Sequence, residues 1–345
     1  MNISALSNEQ RALAVQRLTA LWAFTESGLG GVLHALKLPF TGLMVGGLAV
    51  ILITFIGYFS NGRYKQILQS LFIVLLVKAA VSPHTPFPAY VAVSFQAVAG
   101  FIIFSLMRIN FISILLFSLA AMIQSAIQKL IILTFFFGAS FWKAANELGN
   151  YIAKQFSITT LEGSYWLIGL YLGIYITGAI VIAFVAYNTI KRFSLDHQPQ
   201  QFDLNFSVQL QPNKRANKKV YSILIFFAFL SLIFLLLPTN GKVSFSLLYT
   251  FIWTITAIVF WYIVLNPLLT KLILKILRQR ESAYTNQVNS TFLFLPALQQ
   301  IAVYSWVKSK NVPGIRISNF ILLLINYTLT YTEPVETAQE FKNTQ

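Results

Sequence analysis

A chain of 345 residues that is 57% hydrophobic and only 10% charged, with a mean hydropathy of +0.68, is too apolar for a soluble domain of ordinary composition. Its apolar runs are long and lack the period-two alternation of a transmembrane barrel, so the expected class is all-α, a polytopic transmembrane helical bundle. The net charge of +15 lies in short segments between apolar runs rather than on one basic face, which argues against a nucleic-acid partner. The absence of cysteine excludes disulfides and thiolate chemistry.

The N-terminus stays polar through Gln10 and shows no small-residue cleavage site, so the first apolar segment is expected to remain in the protein. Hydropathy windows predict spans near residues 13–33, 41–59, 67–81, 90–106, 111–137 and 165–187. Residues 188–219 hold almost no apolar run and carry Lys191, Arg192, Lys214, Arg215, Lys218 and Lys219 beside Pro199 and Pro212, a polar cytoplasmic linker. Two more spans follow at 220–237 and 245–265, after which Pro267 and Lys271, Lys275, Arg278 and Arg280 are expected to mark an exit from the membrane. The short runs 291–307 and 317–331 read as two further spans or as two helices at the surface, giving eight spans or ten.

Loop charge orients this scheme. With the N-terminus cytoplasmic, 15 Lys and Arg fall on inward segments and 4 (Lys37, Lys143, Lys154 and Lys242) on outward ones, the asymmetry of the positive-inside rule. Residues 140–156, with Trp142, Lys143, Glu147 and Lys154 among apolar neighbours, are expected to form an amphipathic helix on the outer surface.

Ionisable residues at membrane depth must face the bundle interior, water or the interface, because lipid contact costs several kcal/mol. Glu26 lies mid-span in the first segment, with Trp22 one turn earlier on the same face. Lys78, near the outer end of the third span, either pairs with Glu26 or snorkels to the headgroups. The outward stretch 82–90 has three prolines in six residues and holds His84 as a binding-loop candidate or a simple connector. Gln96 in the fourth span, and Gln124 and Gln128 one turn apart in the fifth, offer amides inside the bundle, as ligand contacts or as interhelical glue. Gly42 and Gly46, and Gly169 and Gly173, stand at four-residue spacing, the pattern by which helix backbones approach closely in lipid.

No phosphate-binding loop, H-E-x-x-H or G-x-S-x-G is present, and only Glu26 among ten acidic residues lies deep, so no enzymatic activity, catalytic residue, cofactor or metal site is expected. The stretches Glu26-Ser27-Gly28-Leu29-Gly30-Gly31 through Gly42, and Ser82-Pro83-His84-Thr85-Pro86-Phe87-Pro88 through Ala97, sit within six predicted spans. In that pattern residues 11–191 resemble the substrate-binding S subunits of energy-coupling factor uptake transporters. The resemblance implies capture of a vitamin, precursor or similar nutrient from outside, with release driven by a separate coupling subunit and cytoplasmic ATPases. It does not extend to residues 192–345.

The reading divides the chain into a six-helix domain at 1–190, a polar linker at 191–219 and a C-terminal membrane domain at 220–345. The expected function is a transport subunit that binds and translocates a small molecule in a cell membrane, a bacterial inner membrane, with substrate-binding residues Glu26, Trp22, Lys78, His84, Gln96, Gln124 and Gln128. The competing expectation is a non-transporting membrane scaffold or assembly factor whose basic inward segments dock a cytoplasmic partner or anionic lipid.

Overall fold

The computed structural model describes residues 6–29, 41–82, 85–155, 163–193 and 245–331. Among them every regular element is a helix, and five helical stretches are long and apolar enough to cross a bilayer: Gly42–Ser60, Phe87–Met107, Phe111–Gln155, Gly163–Arg192 and Trp253–Gln279. The predicted span at 220–237, most of the linker and His84 lie outside the described residues.

Helix α1 (Asn8–Phe24) opens on a capping box in which Ser7 Oγ accepts from the Gln10 N–H and Gln10 Oε1 accepts from the Ser7 N–H. It runs into a π-helical turn at Thr25–Leu29. Helix α2 (Thr41–Ser60) ends at Asn61 and Gly62, whose φ angles of 46° and 87° are left-handed values that these two residue types tolerate. The tight reversal leads into α3 (Lys65–Val81). Helix α4 (Phe87–Met107) begins behind an extended Pro86 and carries Pro88 in its first turn, where a missing N–H breaks no helical bond. The prolines of this loop thus position a helix start.

Helix α5 (Phe111–Gln155) is broken at Gly138, whose φ of 57° and ψ of −144° lie outside helical space. The break falls between the predicted fifth span and the predicted amphipathic segment, and Leu148, Tyr151 and Ile152 beyond it are exposed. Helix α6 (Gly163–Arg192) packs along both parts of α5. Helix α7 (Phe245–Phe260) passes through a second π turn, Trp261–Leu265, into α8 (Asn266–Lys308), and a short turn leads to α9 (Arg316–Thr330).

Helix α2 is the axis of the molecule. It touches α1, α3, α4, α5 and α6, and Val50, Ile53, Thr54, Phe55 and Ile56 along it are wholly buried. Glycines set the spacing: a Cβ on Gly46 would stand 3.1 Å from both Gln96 Nε2 and Met122 Cε, and one on Gly100 would stand 2.8 Å from Ile53 Cγ2. The first small-residue motif therefore packs within the chain, as expected. Among the described residues Gly169 and Gly173 do not, since a Cβ at either meets no described atom within 4 Å, and α6 approaches its neighbours closely at Gly178, against Leu43, and at Gly163, against Gly149.

The C-terminal helices depart from the sequence reading. Pro267 does not interrupt the helix, because the π turn before it shifts the backbone hydrogen-bond register, with the Asn266 N–H reaching Trp261 O. The helix continues for 43 residues. Asn266 Oδ1 accepts from the Phe87 N–H at one end of the bundle, the Tyr284 ring stacks on Phe72 midway along α3, and Ser290 Oγ accepts from Gln16 Nε2 near the other end. Helix α8 therefore runs down the outside of α3 and α1 rather than away from them. Its end and α9 then close over the same end of the bundle as the start of α1: Arg17 donates to Leu329 O at 2.6 Å, and Arg192 to Asn319 Oδ1 at 3.3 Å.

Candidate functional site

The predicted deep carboxylate is where the sequence placed it. Glu26 sits in the π turn that follows α1, with only 7% of its surface exposed, and faces Lys78 of α3, which is 5% exposed. Lys78 Nζ lies 2.8 Å from Glu26 Oε2 and donates also to the Glu26 backbone carbonyl at 3.1 Å. One feature of the local chain supports this geometry. Thr19 Oγ1 and Ser70 Oγ, 2.7 Å apart, join α1 to α3 two turns below and hold their register. The alternative in which Lys78 snorkels to the headgroups is not the arrangement seen.

Two buried polar groups close to Glu26 along the chain have no partner among the described residues. Trp22, one turn before Glu26, is wholly buried, and its Nε1 finds no hydrogen-bond partner among the described residues. The Ser27 hydroxyl, 7% exposed as a residue, is likewise without one. Buried donors of this kind are rare in a well-packed interior and call for a reason. A π turn is also uncommon, and such turns concentrate at functional positions.

The glutamines form a second group. Gln124 Nε2 donates to Gln128 Oε1 at 2.7 Å, and Gln128 Nε2 donates to the Pro88 carbonyl at 2.9 Å, tying α5 to the first turn of α4. Gln96 is 3% exposed and lies against the Gly46 backbone beside Met122 and Ser125, its Oε1 unpartnered among the described residues. No hydrogen bond among the described residues joins this group to Glu26 or Lys78. The expected reach of Glu26 toward either Lys78 or the glutamines is thus resolved in favour of Lys78.

Sequence reasoning did not single out the buried Ser27 hydroxyl, which carries no signal beyond standing next to Glu26. It also treated Arg63 and Lys65 as topological charge alone. In the structure they border a cavity of about 490 Å³ at the end of the bundle where α2 turns into α3, together with Tyr64, Gln66, Gln69, Phe101 and Ser105. Burial pushes the Tyr64 phenol above its ordinary value, opposed by the charge of Arg108 beside it. A second depression of about 600 Å³ lies along Lys271, Leu274, Lys275, Arg278 and Gln279 of α8. Neither is lined by Glu26, Lys78 or the glutamines.

Comparison with known proteins returns no relationship: no family model, no curated protein and no solved structure matches this chain.

Proposed function

We propose that this protein is a membrane-embedded binding and translocation subunit for a small polar or cationic molecule, with Glu26 and Lys78 at the centre of its site. The observation that carries the reading is the ion pair itself, held in a π turn among apolar helices, with the Trp22 indole and Ser27 hydroxyl, close to Glu26 along the chain, lacking partners among the described residues. A carboxylate and an ammonium at this depth cost free energy that a purely apolar contact would not, and intramembrane ionisable groups mark ligand and ion pathways. In the carrier cycle a cationic group on the ligand displaces Lys78 from the carboxylate, while Trp22 and Ser27 supply donors for its acceptors. The resemblance of residues 11–191 to the S subunits of energy-coupling factor transporters supports the same reading, and with it a bacterial inner-membrane location, a cytoplasmic N-terminus and dependence on cytoplasmic ATPase and coupling subunits.

The cysteine-free chain allows a test that needs no knowledge of the substrate. A Glu26→Cys variant in sealed vesicles is expected to react with a membrane-impermeant methanethiosulfonate reagent added on one side only. A variant that is folded yet unreactive from both sides would end the carrier reading.

A second reading, a non-transporting scaffold, is favoured by one observation: Glu26 is already paired with Lys78, and Gln128 ties α5 to α4 through the Pro88 carbonyl, as interhelical glue would. The labelling outcome separates the two.

A further inference from the structure

We infer that the cavity between the start of α3 and the end of α4 is a binding site for the phosphate headgroup of one anionic phospholipid. Its rim holds two cations, Arg63 and Lys65, with the amides of Gln66 and Gln69, the Ser105 hydroxyl and the Tyr64 ring. The volume of about 490 Å³ lies within the usual range of small-ligand sites. No carboxylate among the described residues stands within 4.0 Å of Arg63 or Lys65. The Arg63 guanidinium gives one N–H to Asn8 Oδ1 at 2.9 Å, which steadies it and leaves its other donors for a phosphate oxygen. Arg108 adds a third positive charge near Tyr64. An anion with several acceptor oxygens is the chemistry this rim recognises.

The apolar surface beside the cavity selects a lipid over a free phosphate. Val91, Phe95, Val98, Ile102 and Leu106 of α4 are all 39% exposed or more and follow one another at three- and four-residue steps. They form a strip of about 22 Å, enough to pass through the roughly 15 Å of hydrocarbon in one leaflet. Phe101 and Ser105 line the cavity, so the strip leads from it into the bilayer. A headgroup seated between Arg63 and Lys65 would lay an acyl chain along this face. Basic pockets between membrane helices bind anionic headgroups in this manner.

The test uses the full-length chain, purified in mild detergent, stripped of lipid and then supplied with phosphatidylglycerol, phosphatidylcholine or sn-glycerol 3-phosphate. Native mass spectrometry reads the bound fraction. One phosphatidylglycerol per chain is expected to be retained, and phosphatidylcholine is not. An Arg63→Gln, Lys65→Gln double variant should weaken retention by about thirtyfold, two surface cations contributing about 1 kcal/mol each. Ser105→Trp fills the cavity without removing a charge and should also abolish retention, which guards against a fold defect from loss of the Arg63–Asn8 bond. Lys310→Gln, an exposed cation elsewhere, should change nothing. Undiminished retention in the double variant, equal retention of phosphatidylcholine, or loss on Lys310→Gln would overturn the site. Binding of glycerol phosphate as tight as that of the lipid would overturn the lipid assignment. None of these outcomes depends on the reading of Glu26.

Discussion

Glu26 and Lys78 illustrate how one contact at the residue scale can be costly to halve and cheap to replace. Each neutralises the other, so removal of either leaves a charge buried among Trp22, Ser27 and apolar helices. Glu26→Leu or Lys78→Met alone is expected to destabilise the protein by about 3–5 kcal/mol, whereas the double variant should recover most of that loss. Thermal unfolding in detergent measures both, and additive losses would show that the pair is not coupled. Substrate handling, on the carrier reading, should be lost in all three variants, including the stable double one. This is where the pair as structure and the pair as site part company.

Small residues make the corresponding argument at the scale of elements. Gly100→Ala places a Cβ 2.8 Å from Cγ2 of the wholly buried Ile53, and the neighbouring side chains or backbone must shift to admit it. A cost of about 1–3 kcal/mol follows from overpacking. Gly173→Ala meets no atom of the described residues within 4 Å and should be neutral or stabilising by up to about 1 kcal/mol through helix propensity. A comparison of the two melting temperatures checks the assignment of faces, and reversal of their order would show that α6 packs through Gly173. The Gly42–Gly46 and Gly169–Gly173 motifs were visible in the sequence with the same spacing. What distinguished them was which side of each helix met a neighbour, a property of packing rather than of pattern. The π turn at Trp261–Leu265 is a similar case. Pro267 read as an end because proline removes an N–H, and the shifted hydrogen-bond register that accommodates it has no local signature.

The whole molecule is a helical bundle against which a long C-terminal helix is laid. The contacts of Asn266 with Phe87, Tyr284 with Phe72 and Ser290 with Gln16 require α8 to descend beside α3 and α1. A Gln16→Cys, Ser290→Cys double variant should therefore be joined within one chain by a short bismaleimide, giving a shifted band after cleavage between the two positions. Failure to join them would return residues 271–280 to the membrane exit that their charges suggested. For orientation, a Glu147→Cys variant is expected to react with an impermeant thiol reagent in intact cells and a Gln200→Cys variant is not. The opposite pattern would invert the bundle. Composition and hydropathy were sufficient to place the chain in a membrane, to outline α2, α3, α4 and α6 within a few residues and to single out Glu26, because apolar length and the cost of a buried charge are properties of local sequence. The pairing of Glu26 with Lys78, the packing of Gly46 against Gln96 and Met122, the course of α8 and the cavity beside Arg63 were decided only by tertiary structure, because each depends on which helix faces are brought together across long stretches of chain.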